Sequence, residues 1–200
     1  MDKVSLDELM RECRKFDKLE KRGTFYDMAL TLISKGFDVE AYFLILATWN
    51  FAAFRFAVKE FDINGFKDTI RSKCNPIFYR LKDKRLETVN FDKIGNDVKG
   101  LYDVLSTIKG VKYTGASKIM HLRNPELFII WDGYIKKYYG FRDGSAENYI
   151  GFLKMMQEMS KGIEWNYKNK TLAKAIDEYN YVTITLPELE RIRNKKRIEK

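Results

Sequence analysis

The residue best placed to do chemistry in this chain is Asp132. Asn124-Pro125 turns the backbone into Glu126-Leu127-Phe128-Ile129-Ile130-Trp131, and that run delivers Asp132 and Gly133 to the start of a helix expected over 133–139. An aspartate there is a good N-cap, and the helix N-terminus favours its carboxylate form. A carboxylate held at such a point is also a candidate for general acid–base work.

Immediately upstream the chain reads Ile108-Lys109-Gly110-Val111-Lys112-Tyr113-Thr114-Gly115-Ala116-Ser117-Lys118. One helix ends near Ile108, Gly110 and Gly115 bracket a tight turn, and Ala116 to Leu122 resumes a helix. Gly115 and Ala116 are small enough to let two helices meet closely. Backbone N–H groups opening the second helix suit a phosphate, with Thr114 beside them. Lys109, Lys112, Lys118 and Arg123 surround the turn as counter-charges. The pattern describes a hairpin that grips a DNA backbone without reading its sequence.

The elements that must position these residues are helices. Ser5 and Glu8 form a capping box for a helix over about 6–21. Thr24 with Asp27 opens a second helix that ends at Gly36 in a C′ position. A third begins near Asp38, is apolar on all sides, and runs toward Glu60 before Phe61-Asp62-Ile63-Asn64-Gly65 breaks it. Helical spacing continues over 65–82, with Pro76 breaking or starting a helix, and over 91–107 through Ile94, Val98, Leu101 and Leu105. Ser145, Thr171 and Thr185 are the expected caps of three more, Thr185 pairing with Glu188 in a second capping box. Only Tyr181 to Thr185 reads as strand. With no internal repeat and no linker, the expected architecture is a single all-α domain over 1–200. The hairpin segment occupies about 101–123 and the aspartate segment 124–140.

Composition sets the class. Lysine and arginine number 37 against 28 acidic residues, a net charge of +9 that favours a polyanion. A lysine- and glutamate-rich surface also serves solubility and thermal stability, so charge names no site by itself. Two cysteines, Cys13 and Cys74, and one histidine, His121, exclude a zinc module, an iron–sulfur cluster or a disulfide scaffold, and suit a reducing cytoplasm. No metal or cofactor is expected. The N-terminus is charged and capped rather than a signal peptide, and the apolar stretch 41–57 is interrupted by Asn50 and Arg55, so no membrane partner is expected.

The segment resembles the helix–hairpin–helix DNA glycosylase superfamily, whose hairpin of the type L-P-G-V-G-x-x-x-A is followed by an apolar run and a catalytic aspartate. Ile108-Lys109-Gly110-Val111 is similar to the hairpin opening, and Ala116 to its small helix residue. Phe128 to Lys137 resembles the corresponding segment of the adenine-mismatch branch. About 30 residues carry the likeness, and the upstream helices agree in type and order. It implies two helical lobes flanking a cleft, base excision from damaged or mismatched duplex DNA, and Asp132 as the catalytic carboxylate. Two positions depart from the pattern. Lys112 replaces the second hairpin glycine, at a cost in a left-handed turn. Thr114 stands where lyase members carry a lysine, eighteen positions before the aspartate, which implies monofunctional hydrolysis of the N-glycosidic bond.

Other residues divide between packing and site. Trp49, Asn50 and Phe54 fit helix packing, and they form a base pocket if their helix lines the cleft, the rings stacking on an extruded base. Asn50 and Arg55 need partners if buried. Lys118, one helical turn beyond Thr114, is a displaced amine, and His121 is read as structural. The basic tail 188–200 is a solvated face or a second phosphate contact. The competing function is a non-catalytic helical DNA-binding or regulatory module in which Asp132 only caps.

Overall fold

A computed structural model describes residues 3–167 and 170–198. Among these residues the regular structure is entirely helical. Its first half comprises α1 (Leu6–Leu19), α2 (Gly23–Ser34), α3 (Asp38–Trp49), α4 (Phe51–Ala57), α5 (Ile63–Thr69) and α6 (Asn75–Leu81). Its second half comprises α7 (Phe91–Ser106), α8 (Lys112–Arg123), α9 (Gly133–Tyr138), α10 (Ala146–Met159), α11 (Leu172–Asn180) and α12 (Leu186–Ile198). No single helix among the described residues is long and apolar enough to cross a membrane. The end of the basic tail, Glu199 and Lys200, lies outside the described residues.

Several ends form as their sequences dictate. Ser5 and Glu8 close a reciprocal capping box on α1. Ser145 and Thr171 cap α10 and α11 through the N–H groups of Asn148 and Lys174. Gly36, at φ +81°, ends the α2 run in the left-handed conformation that glycine adopts without steric cost.

Four expectations are corrected. The Thr24–Asp27 cap does not form: α2 already begins at Gly23, with no side chain bonded to its N-terminus. The apolar helix does not run unbroken from 38 to 60; it turns by 112° at Asn50. Tyr181 to Thr185 is a π turn joining α11 to α12, not a strand. Thr185 therefore lies inside a helical run and caps nothing, while Glu188 pairs with Arg191 at 2.8 Å.

Prolines explain the π turns. Pro76 and Pro187 lack the N–H that would serve a carbonyl four residues back, and their rings crowd that carbonyl. Just before each, the helix widens by one residue, over Ile70–Cys74 and Tyr181–Thr185. Asn75 then donates to Ile70 O and Leu186 to Tyr181 O, so the helical path continues through the fault. Three of the four β-branched residues of the second turn, Val182, Ile184 and Thr185, are buried among helices and have no strand to pair with.

The core centres on α7, α8, α10 and the apolar run before Asp132. Leu127, Phe128, Ile129 and Trp131 are fully buried although their backbone is not helical. Side chains satisfy that backbone, as buried polar groups require. Tyr149 donates to Ile129 O (2.9 Å), Ser117 accepts from Trp131 N (3.3 Å), and His121 Nδ1 donates to Phe128 O (2.6 Å). Trp131 packs against Tyr149 and Phe152, and its indole N–H reaches the Tyr102 hydroxyl at 3.0 Å. The run is thereby fixed along its length, and so is the point where Asp132 emerges.

Candidate functional site

Asp132 is the N-cap of α9. Its Oδ1 accepts from the N–H groups of Tyr134 (2.8 Å) and Ile135 (2.9 Å). Its Oδ2 accepts from the Thr185 hydroxyl at 2.8 Å, which ties the α11–α12 run to the site. Each carboxylate oxygen carries two lone pairs, so Oδ2 keeps an unused acceptor direction. The carboxylate is half-buried on the wall of a cavity of about 660 Å³.

The cavity wall combines aromatic rings with balanced charge. Phe16, Trp49, Phe51, Tyr113, Tyr134 and Tyr181 line it. Arg22, Lys112 and Lys118 face three carboxylates there, Glu20, Asp132 and Asp177. Arg22 and Glu20 pair at 2.5 Å, and the Tyr181 hydroxyl donates to the same carboxylate at 3.1 Å. The lining is thus formally neutral, while the chain as a whole carries +9.

Lys118 is the least expected member. It sits in a stretch of α8, Gly115 to Leu122, that is buried throughout, and its Nζ donates to the carbonyl of Trp49. Burial pushes its ammonium down to about 8, with Asp132 and Asp177 acting in the opposite direction. It faces the cavity and makes no ion pair within 4 Å among the described residues.

The corner at Trp49-Asn50 is fastened from several directions. Asn50 donates from Nδ2 to Gly110 O and Val111 O, both at 3.2 Å, so the hairpin supplies the acceptors that this buried amide nitrogen requires. Trp49 stacks on Tyr26 with ring centroids 5.5 Å apart, and the Lys174 ammonium lies 5.0 Å from the indole centre. That ammonium is also 4.8 Å from the rings of Phe16 and Tyr26 and 2.7 Å from Asp177. Tyr26 in turn meets His121 Nε2 at 2.9 Å. Burial pushes the His121 imidazole down to about 4, and as a neutral ring it donates to Phe128 O and accepts from Tyr26. Its structural role follows from those bonds.

The hairpin takes the shape its glycines allow. Gly110 is left-handed at φ +86°, and a Cβ there would meet Ala57 Cβ at 2.6 Å. Lys112 is also left-handed, at φ +53°, the one non-glycine among the described residues with positive φ. Lys112 and Thr114 line the cavity, while Lys109 is exposed and paired with Glu60. No side chain caps the N-terminus of α8.

The sequence-derived residues thus separate. Asp132, Trp49, Asn50, Lys112, Thr114 and Lys118 meet around one cavity, with Gly110 and Gly115 packed behind them. Arg123 lies at the far end of α8, roughly 16 Å from Lys112 at 1.5 Å per residue, with its guanidinium over the Phe78 ring. Phe54 packs on Phe43 and Phe61 rather than lining the cavity. Arg55 stands over the exposed ring of Phe56, with Phe51 on its other side.

Sequence reading misses Asp177, Thr185 and Tyr181. The i, i+3 spacing of Lys174 and Asp177 signals an ion pair, but nothing local shows that the pair faces a cavity. Cys13 and Cys74 are buried apart, and no group of described residues could hold a metal ion. No family model, curated protein or solved structure matches the chain.

Proposed function

We propose that this protein binds duplex DNA and releases a base by hydrolysing its N-glycosidic bond, in a fold of helix–hairpin–helix glycosylase type with the cavity as its cleft. The observation that carries the reading is the meeting of Asp132 with the Gly110–Thr114 hairpin around one aromatic-lined cavity. An extruded base stacks on Trp49 with the Asp132 carboxylate near the sugar. As the C–N bond breaks, its electron pair leaves with the base, and the carboxylate stabilises the cationic sugar until water adds. The hairpin contributes backbone grip through Lys112, Lys109 and the uncapped start of α8. Thr114 in place of a lysine favours the hydrolytic route.

A non-catalytic DNA-binding module is the second reading, favoured by the structural work of Asp132: three hydrogen bonds tie it to α9 and Thr185. Asp132→Asn separates the two. Asparagine caps well and its amide can face the Thr185 hydroxyl, so the stability loss is at most about 1 kcal/mol. Under the catalytic reading, base release from duplexes carrying uracil, oxidised guanine, alkylated adenine or mismatched adenine is abolished while DNA affinity holds or rises. Undiminished release in the variant would refute catalysis by Asp132, and no release by the native chain would leave the binding module.

A further inference from the structure

Asn50 carries a feature that anchoring the corner does not use. Only 7% of the residue is exposed, and it lines the cavity. Because Nδ2 faces the carbonyls of both Gly110 and Val111, the amide has one tenable orientation. Rotating it would set Oδ1 against two oxygens with no hydrogen between them. Gly115 makes this seat possible, since a Cβ there would lie 3.0 Å from Nδ2. The carboxamide oxygen is left pointing away from the hairpin. No described residue donates to it, and it is not among the sealed, unpartnered polar atoms, so it remains open on the cavity side. An acceptor on a residue more than nine-tenths buried, held rigid and without a donor among the described residues, has a free energy to gain from a ligand's donor.

We propose that Asn50 Oδ1 is a fixed acceptor that selects, among planar nitrogen heterocycles entering the cavity, those presenting an N–H donor. The aromatic lining suits a flat ring, and its balanced charge suits an uncharged one. That the ring is a nucleobase carried on DNA rests on the base-excision reading; the acceptor itself does not. Sites built around a buried hydrogen bond reject analogues that lack the matching group much more strongly than apolar walls reject a methyl group.

Methylation of the donor tests this on the full chain. The probes are 1-methyluracil against 1,3-dimethyluracil, 9-methyladenine against its N6,N6-dimethyl derivative, and 9-methylhypoxanthine against 1,9-dimethylhypoxanthine. In each, the glycosidic nitrogen is already blocked. Titration followed by ligand-observed NMR is expected to show at least one donor-bearing base binding about ten-fold tighter than its methylated partner, about 1.4 kcal/mol. Asn50→Leu is expected to bring that ratio below about two-fold, because the acceptor is lost while the branched shape is kept. A ratio that survives in Asn50→Leu reports steric exclusion and overturns the proposal, as does a ratio near one for every pair in the native chain. Since Asn50→Leu also removes the hairpin anchor, Asn50→Ala, smaller and likewise without an acceptor, supplies the same readout should the first variant not fold. The same bases placed in duplexes separate the two readings. Discrimination among free bases without any duplex binding upholds the acceptor and removes the DNA reading. Duplex binding without discrimination in either format does the reverse.

Discussion

Lys118 and His121 lie one helical turn apart on α8, and burial acts on both by disfavouring the charged form. For Lys118 the folded chain releases its proton near pH 8, while the unfolded chain holds it to 10.5. Between those values the unfolded state binds more protons, so stability rises with pH across the window. Below pH 8 the buried ammonium costs stability on the order of 3 kcal/mol. Lys118→Met is therefore expected to be more stable than the native chain at pH 7, the difference closing as pH climbs through 8 to 10 in denaturant titrations. Under the proposed excision, the lysine also bears on the route. At pH 7 it is mostly ammonium and held by the Trp49 carbonyl, so borohydride is expected to trap no covalent adduct with an abasic duplex. An adduct that grows as pH passes 8 and is absent from Lys118→Met would move the chemistry from water to this amine. His121 gives the opposite end of the profile. Its folded value of about 4 lies below the ordinary 6.5, so stability is expected to fall as pH drops from 6.5 to 4, by about 3 kcal/mol if the ring stays buried throughout. His121→Leu removes that dependence while losing the bonds to Tyr26 and Phe128.

At the scale of elements, what could be read from the chain depended on whether the cause was local. The Ser5–Glu8 capping box, the Gly36 stop and the amphipathic face of α7 need only neighbours in sequence, and they form as expected. The Asn50 corner is not local. Its bend is held by Gly110, Val111 and Lys118, residues about 60 positions away, and the interruption at Asn50 signals a need for partners without signalling a turn. The π turn at 181–185 misleads for a related reason: β-branched residues favour strands only where a strand partner exists, and Pro187 already required a local fault. The left-handed turn at Gly110 was legible because its cost is steric, whereas Gly115, expected to close the turn before a helix resuming at Ala116, lies inside α8, which already begins at Lys112. That cost yields a paired prediction. Gly110→Ala places a methyl group into Ala57 at φ +86°, and is expected to destabilise by about 2 kcal/mol or more in denaturant titrations. Lys112→Gly relieves a left-handed lysine and is expected to stabilise by up to about 1 kcal/mol. A lysine retained where glycine would be more stable points to a use for its charge.

On the scale of the whole molecule, charge is distributed in a way that bears on that use. The cavity balances three cations with three carboxylates, so the excess of +9 lies outside it. Lys109 is exposed in a pair with Glu60, an arrangement worth little in water and readily exchanged for a phosphate. Lys112 stands at the rim, at the start of an uncapped helix. A polyanion that follows this rim meets cations and backbone N–H groups, and the base it carries meets the aromatic interior. On the proposed reading, phosphate contacts at this rim carry no sequence information, so a labelled undamaged duplex of any sequence is expected to bind with similar affinity at low salt. Affinity is expected to fall steeply between low and moderate salt as counterions are released, with a log–log slope of roughly 0.9 per phosphate neutralised. Lys112→Gly sharpens the test, because folding and binding pull its effect in opposite directions. The variant is expected to melt at a higher temperature yet bind duplex more weakly, with the salt slope reduced by about one. Equal affinity and an unchanged slope in the stabilised variant would remove Lys112 from the interface. Absence of duplex binding by the native chain at low salt would remove the nucleic-acid reading itself.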